Sequence, residues 1–324
     1  MNQSILSRIG RKHPYLFALV LLVIAIIVNF ILQPNLMQLR VLNQNVRIFL
    51  PLMLVAAGQT IVIIGGGIDL SVGAIVAMVN TLLIVTMPRE ATSLQIAQGI
   101  FFALALGAAA GVLNGLAVAY LRLQPIITTY ASGFIFSGIA LYILPRPGGN
   151  APSVLTELYR STPLNIPFVA YVIVATVGLW ILLRSTRYGR YLYASGGDPE
   201  AAYATGVPVD RVRFSTYVLA GILTAAGALA LTLSTGTGDP RIGGDQTTLD
   251  SIVAVVVGGT RLSGGQGGVI GSMIGVVILG LIRNIISFAN VPSWWQTLVD
   301  ALIIIGALAG PGAIRLIRGR RSET

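Results

Sequence analysis

The sequence contains no cysteine, which excludes disulfides, thiolate metal sites and cysteine nucleophiles. Histidine occurs once, at His13 beside Arg11 and Lys12, so Ser-His chemistry within an apolar interior has no base to use. Lysine also occurs once, at Lys12, and a phosphate-binding loop that must end in lysine is therefore absent. Charge is scarce: 10% of the 324 residues are charged, against 55% hydrophobic. A soluble fold could not hide that much apolar surface, and apolar runs near the length of a membrane-spanning helix recur along the chain. The chain reads as an integral membrane protein in a lipid bilayer. Its net charge of +10 sits between the apolar runs, as cytoplasmic anchoring requires, and is no nucleic-acid footprint.

Hydropathy predicts an all-α, polytopic fold of about ten transmembrane helices, at 14–32, 46–64, 72–87, 95–120, 126–144, 166–183, 212–233, a short 250–260, 269–288 and 294–311. The first run ends in Gln33-Pro34 without a small-residue cleavage site, so it reads as a retained span rather than a signal peptide. Arginines outnumber on the side that holds Arg8, Arg11, Lys12, Arg184, Arg187 and Arg190; the positive-inside rule places both termini there, in the cytoplasm. The cytoplasmic parts are then 1–13, 184–211 and 312–324. The external loops are 145–167 and 234–248, and Trp294 and Trp295 read as interfacial anchors. Small residues such as Gly107, Gly111, Gly221, Gly271 and Gly275 within spans predict close helix packing.

Two glycine-rich breaks interrupt the apolar pattern. Residues 65–73 read GGGIDLSVG and place Asp69 and Ser71 between two spans; broken or re-entrant backbone at membrane depth must be buried in protein or line a wet cavity. Asp69 there caps the following helix or serves a gate or path, and the two roles can coexist. Residues 258–268 read GGTRLSGGQGG. The string LSGGQ within it matches a signature of ABC ATPases, but without a lysine-bearing phosphate loop it is a tight turn. The breaks share GGxxLSxG, as Gly66, Gly67 to Gly73 and as Gly258, Gly259 through Gly264 to Gly265, with Asp69 and Arg261 at equivalent places. A weak internal repeat predicts that the two turns lie close and that Asp69 and Arg261 pair.

The polar stretch 189–213 carries its own helix signals: Asp198 as N-cap, Pro199 at the first helical position, Glu200 at the positive helix end, and Gly206 with Pro208 as terminators. That predicts a helix of roughly two turns, about 10 Å long. By itself it is either a solvated connector or a docking surface for another protein. Within the spans, Gln59, Asn80, Asn114, Thr128, Ser132 and Asn284 are interhelical hydrogen-bonding groups or a route for a neutral, hydroxylated cargo.

Taken in order, GGGIDLSVG, YGRYLYASGGDPEAAYATGV and VVVGGTRLSGGQGGVIGSMIGVVILGLI resemble the permease subunit of bacterial ABC sugar importers of the ribose, xylose, arabinose and galactose type, over residues 36–311. The resemblance implies a single permease domain over 1–324 in the bacterial inner membrane that performs no bond chemistry and binds neither cofactor nor metal. It implies a second permease, as homodimer or paralogue, a partner ATPase with two cassettes that holds ATP and magnesium, and a periplasmic sugar-binding protein. Asp198, Pro199, Glu200, Ala201, Ala202 and Gly206 would then form the coupling helix seated in the ATPase. An ion-coupled secondary transporter using Asp69 is the competing reading.

Overall fold

The computed structural model describes residues 16–289 and, beyond them, Pro292, Trp295, Leu298, Ala301 and Leu302. The expected segments 1–13 and 312–324, most of the expected span 294–311, and Trp294 lie outside the described residues. The described regular structure is helical: α1 (Leu16–Leu32), α2 (Leu39–Ile64), α3 (Val72–Thr86), α4 (Ser93–Gly115), α5 (Pro125–Ile143), α6 (Ser153–Arg160), α7 (Phe168–Ser185), α8 (Arg187–Gly197), α9 (Pro199–Ala204), α10 (Val209–Thr235), α11 (Gly244–Val257) and α12 (Val269–Phe288). Six segments are long and apolar enough to cross a membrane: α2, α4 with the turn that follows it, α5, α7, α10 and α12. The expected spans at 14–32, 72–87 and 250–260 correspond to the shorter helices α1, α3 and α11. The protein is therefore a polytopic helical membrane protein, with six helices of spanning length among the described residues rather than ten.

Helix α10 is the organising element and packs along both α2 and α4. Paired glycines set the approach to α4: a Cβ on Gly107 would lie 2.4 Å from the Gly221 carbonyl oxygen, and one on Gly221 would lie 2.1 Å from that of Gly107. Where lipid provides no hydrophobic drive between helices, such backbone contact supplies dispersion energy instead. Around this axis, α3 packs on α5, α10 and α11, and α12 on α1, α2 and α11. Helix α5 and helix α7 lie at the periphery and expose Phe134, Ile135, Val174 and Leu182.

Breaks in the helices have local causes. Pro51 lies inside α2 and has no N–H for the Arg47 carbonyl one turn back; Tyr159 Oη donates to that oxygen at 2.7 Å instead. Helix α4 loosens into a π-helical turn at Leu116–Tyr120, and Arg122, at φ 54°, adopts the left-handed conformation before Pro125 opens α5. Between α2 and α3 the chain runs non-helically through 67–70, held to α5 by the Leu70 N–H on Thr129 Oγ1 at 2.9 Å. Between α10 and α11 it turns at Gly236 (φ 78°) and Gly243 (φ 88°), with Asn80 pinning it: Asn80 Nδ2 donates to Thr232 Oγ1 (2.7 Å), and Asn80 Oδ1 accepts from the Asp239 N–H (2.8 Å). The two non-helical runs bring the starts of α3 and α11 together. The Gly73 N–H donates to Thr248 Oγ1 at 3.0 Å, and a Cβ on Gly73 would lie 1.8 Å from the Gly244 oxygen.

The two glycine-rich breaks do end their helices alike. Gly66 N–H bonds the Ile63 carbonyl and Gly67 N–H that of Val62; Gly259 N–H bonds Val256 and Thr260 N–H bonds Val255. Both are Schellman caps, with Gly66 (φ 84°) and Gly259 (φ 89°) as the left-handed residue. The structural equivalence therefore pairs Gly66 with Gly259, one residue out of register with GGxxLSxG, and Asp69 falls opposite Leu262 rather than Arg261. The expected Asp69–Arg261 pair does not form: Asp69 is buried and bonded within its own turn, and Arg261 is exposed.

Candidate functional site

Four of the sequence-derived path residues assemble into one chain of hydrogen bonds that runs from half-buried Ser132 to buried Asp69. Ser132 Oγ, on α5, donates to Asn114 Oδ1 on α4 (2.6 Å); Asn114 Nδ2 donates to Ser71 Oγ (2.8 Å); Ser71 Oγ donates to Asp69 Oδ1 (2.6 Å). The Ser71 N–H also donates to Asp69 Oδ1, at 2.8 Å, so Asp69 holds the turn that leads into α3. Its second oxygen, Oδ2, has no partner among the described residues, and neither has the Oη of Tyr217, a residue that composition and spacing did not single out. A Cβ on Gly67 would lie 2.5 Å from that Tyr217 Oη, so the phenol is wedged against the glycine break.

The other expected path residues lie elsewhere. Asn80 serves the pin described above. Gln59 is fully buried on α2 with neither amide atom partnered. Thr128 sits on the exposed side of α5 and donates to the Gln124 carbonyl of its own helix (2.8 Å). Asn284 lies on α12, where its Nδ2 faces Asn45 Oδ1 at 3.4 Å.

The polar stretch after α8 forms the helix its residues predict. Asp198 Oδ1 accepts from the Ala201 N–H at 3.0 Å, Pro199 opens α9, and Gly206 (φ 83°) closes it in a Schellman cap, with Gly206 N–H on Tyr203 O and Val207 N–H on Ala202 O. Ala202 is buried with Val207 and Val209, while Asp198, Glu200, Ala201 and Tyr203 remain exposed. The helix is thus seated on one apolar corner and presents a polar face.

What precedes α9 ties it to both glycine breaks. The end of α8 inserts Gly196 between the end of α2 and the turn before α12: a Cβ there would lie 1.7 Å from the Ile64 oxygen and 3.0 Å from Gly265 N. The Gly265 N–H donates to that same Ile64 carbonyl at 2.9 Å. A Cβ on Gly264 (φ 84°) would lie 2.5 Å from the Gly196 oxygen and 3.1 Å from Gly66 Cα. Three segments distant in sequence thus meet backbone to backbone, as only glycine allows. Tyr193 on α8 reinforces the joint by donating to the Gly267 carbonyl at 2.7 Å; burial pushes its phenol up from the ordinary value, against the opposing effect of the Arg184 cation.

Between α9 and the glycine break lies a cavity of about 680 Å³, with Gly65–Gly67, Arg122, Glu200, Tyr203, Arg213 and Tyr217 in its walls. Asp210 also lines it, and no ion pair joins Arg122 or Arg213 to Glu200 or Asp210 among the described residues. A second cavity, about 210 Å³, lies among α2, α3, α10, α11 and α12 and is lined by Asp250, Arg283 and Asn284. Arg283 Nη2 donates to Asp250 Oδ1, the one ion pair among the described residues. Neither residue stands out in the sequence, because a span with a single acid gives no sign of its partner.

Comparison with known proteins places this architecture. The family described as branched-chain amino acid transport system / permease component matches residues 41–308. A ribose import permease protein of Bacillus subtilis (strain 168) is 36% identical over 295 residues, covering 89% of each chain. A fructose import permease protein of Rhizobium meliloti is 35% identical over 267 residues, 79% of this chain and 73% of that one. An autoinducer 2 import system permease protein of Photorhabdus temperata is 28% identical over 311 residues, 93% of this chain and 92% of that one. No solved structure matches the chain. The matched region runs through the glycine joint, the capped helix and both cavities, and on that footing the chain belongs to the family of transport-system permease components.

Proposed function

We propose that the chain is the membrane permease subunit of an ATP-driven importer that moves a monosaccharide across the bacterial inner membrane. The relatives named for ribose, fructose and autoinducer 2 import support a small hydroxylated cargo, and the neutral polar groups within the helices suit one better than an ion or an amino acid zwitterion. Two permease copies, or this chain and a paralogue, would enclose the path; a periplasmic binding protein would deliver the sugar, and a separate subunit with two cassettes would bind ATP and magnesium.

One observation carries this reading: a capped helix with an exposed polar face is locked to both glycine breaks, in a chain with no phosphate loop of its own. Asp198–Gly206 would dock in the ATPase, and 184–211 would be the cytoplasmic coupling loop, with both termini on that side and the expected spans completing a ten-helix domain over 1–324. The non-helical runs 65–71 and 236–243 would be broken, re-entrant segments whose backbone is covered by α5 and α3. Asp69, Ser71, Asn114 and Ser132 would form a gate beside the path. Reconstitution into proteoliposomes tests the proposal: uptake of ribose or fructose should require ATP, the cassette subunit and the binding protein together. Uptake driven by an ion gradient alone would refute it.

A further inference from the structure

The smaller cavity has a composition that packing does not explain. Its volume of about 210 Å³ corresponds to roughly seven waters at ~30 Å³ each, well below the ~300–1,000 Å³ of sites for drug-sized ligands. Part of its lining is apolar, with Phe49 and Leu52 on α2. Polar groups line it as well, with Thr247 and Asp250 on α11 and Arg283 and Asn284 on α12. Gln246 Nε2 donates to Asp250 Oδ1 at 2.9 Å, so the carboxylate that holds Arg283 is itself held in place. Gly280 lets the Phe49 ring lie against the backbone of α12: a Cβ there would come within 2.1 Å of Phe49 Cε1.

Ionisable residues in a membrane domain are costly and face protein or a wet cavity. Here Asp250 is 8% exposed and Arg283 32%, so the polar lining extends from the interior toward the surface. Asp250 already engages the guanidinium of Arg283. That disfavours an anionic lipid headgroup, whose charge would have to compete with Asp250 for the guanidinium. It favours a ligand whose groups both donate and accept: a carboxylate accepts, a guanidinium donates, and an amide does both. A sugar ring matches that set, its hydroxyls meeting the polar side chains and its C–H groups the apolar ones.

We infer that this cavity is a monosaccharide subsite within a single permease chain, formed by Asp250, Arg283, Asn284 and Thr247 together with Phe49 and Leu52. The inference rests on the sugar-import reading above and adds a binding site to it.

The test uses the full permease with its ATPase partner in nanodiscs, without the binding protein, and measures equilibrium binding of labelled ribose and of labelled fructose up to roughly 10 mM. The expected result is saturable binding of at least one of them. Asp250→Asn should weaken it at least about tenfold, since it removes charged hydrogen bonding, and Leu52→Trp should abolish it by filling the cavity, with the polar side chains untouched. Assembly with the ATPase, measured for each variant, separates lost binding from lost folding; a correctly assembled Leu52→Trp that binds like the unaltered chain overturns the inference. So does absence of saturable binding in a complex that still imports ribose or fructose under ATP, which leaves the sugar-import reading standing. A phospholipid retained through delipidation and not displaced by either sugar assigns the cavity to lipid and likewise overturns it. If the complete system imports neither sugar, the proposed function fails first.

Discussion

Gly196 and Gly197 are neighbours of the same type, yet they should respond to alanine in opposite ways. At Gly196 the new methyl group would sit 1.7 Å from the Ile64 oxygen, 2.8 Å from its carbon and 3.0 Å from Gly265 N. These are backbone atoms of two other segments, so no rotamer change relieves the overlap; the joint must open. Opening breaks the Gly265 N–H bond to Ile64, worth about 1 kcal/mol net, and overpacking adds roughly 1–3 kcal/mol. Against this, alanine within α8 regains about 1 kcal/mol of helix propensity, which leaves a loss of roughly 1–3 kcal/mol. At Gly197 a methyl group meets only Gly265 Cα, at an ordinary 3.8 Å, so Gly197→Ala should be neutral or stabilising by up to about 1 kcal/mol. Thermal unfolding of the purified permease reads the first difference. Because α9 follows directly, ATP hydrolysis and uptake by the reconstituted complex read the second: Gly196→Ala should weaken uptake per ATP hydrolysed while Gly197→Ala retains it. Equal behaviour of the two variants in both assays would refute the reasoning that the glycine joint positions the docking helix.

The remaining predictions concern the helix and the polar chain. Ala202→Pro places proline inside α9 at a cost of about 3 kcal/mol, and should abolish ATP-driven uptake while membrane insertion, read by fractionation, is unchanged. Asp198→Ala removes only a cap, about 1 kcal/mol, and should reduce uptake partially in the same assay. Ser71→Ala deprives Asn114 Nδ2 of its acceptor and Asp69 of a donor, so unfolding of the detergent-solubilised chain should show a loss of about 1–3 kcal/mol. Tyr159→Phe leaves the Arg47 carbonyl beside Pro51 without its donor and should cost a similar ~1–3 kcal/mol, with assembly onto the ATPase preserved.

Features governed by neighbouring residues were legible in the sequence. The helical class followed from apolar runs that lipid tolerates only as helices, and the ends of α9 followed from Asp198, Pro199 and Gly206 because caps act over one turn. Span lengths were less legible: hydropathy marks an apolar run but not where a helix starts, so 95–120 hid the π-helical turn at Leu116–Tyr120, and 250–260 missed the polar first turns of α11, which begins at Gly244. The path residues were legible only as types. Ser71, Asn114 and Ser132 look no different in sequence from Thr128, which bonds only to its own helix.

By itself the sequence determined that this is a membrane protein without thiol or phosphate-loop chemistry and without a histidine in its apolar runs, and where its capped polar helix begins and ends; composition and single-turn geometry decide such things. Tertiary structure alone decided that Gly66, Gly196 and Gly264 meet, that the two breaks are equivalent one residue out of register, that Asp69 turns inward to Ser71 instead of pairing with Arg261, and that Asp250 and Arg283 share a cavity. Each of these joins segments far apart in the chain, and only helix packing, through backbone approach at glycine and the need of buried polar groups for partners, selects which segments those are.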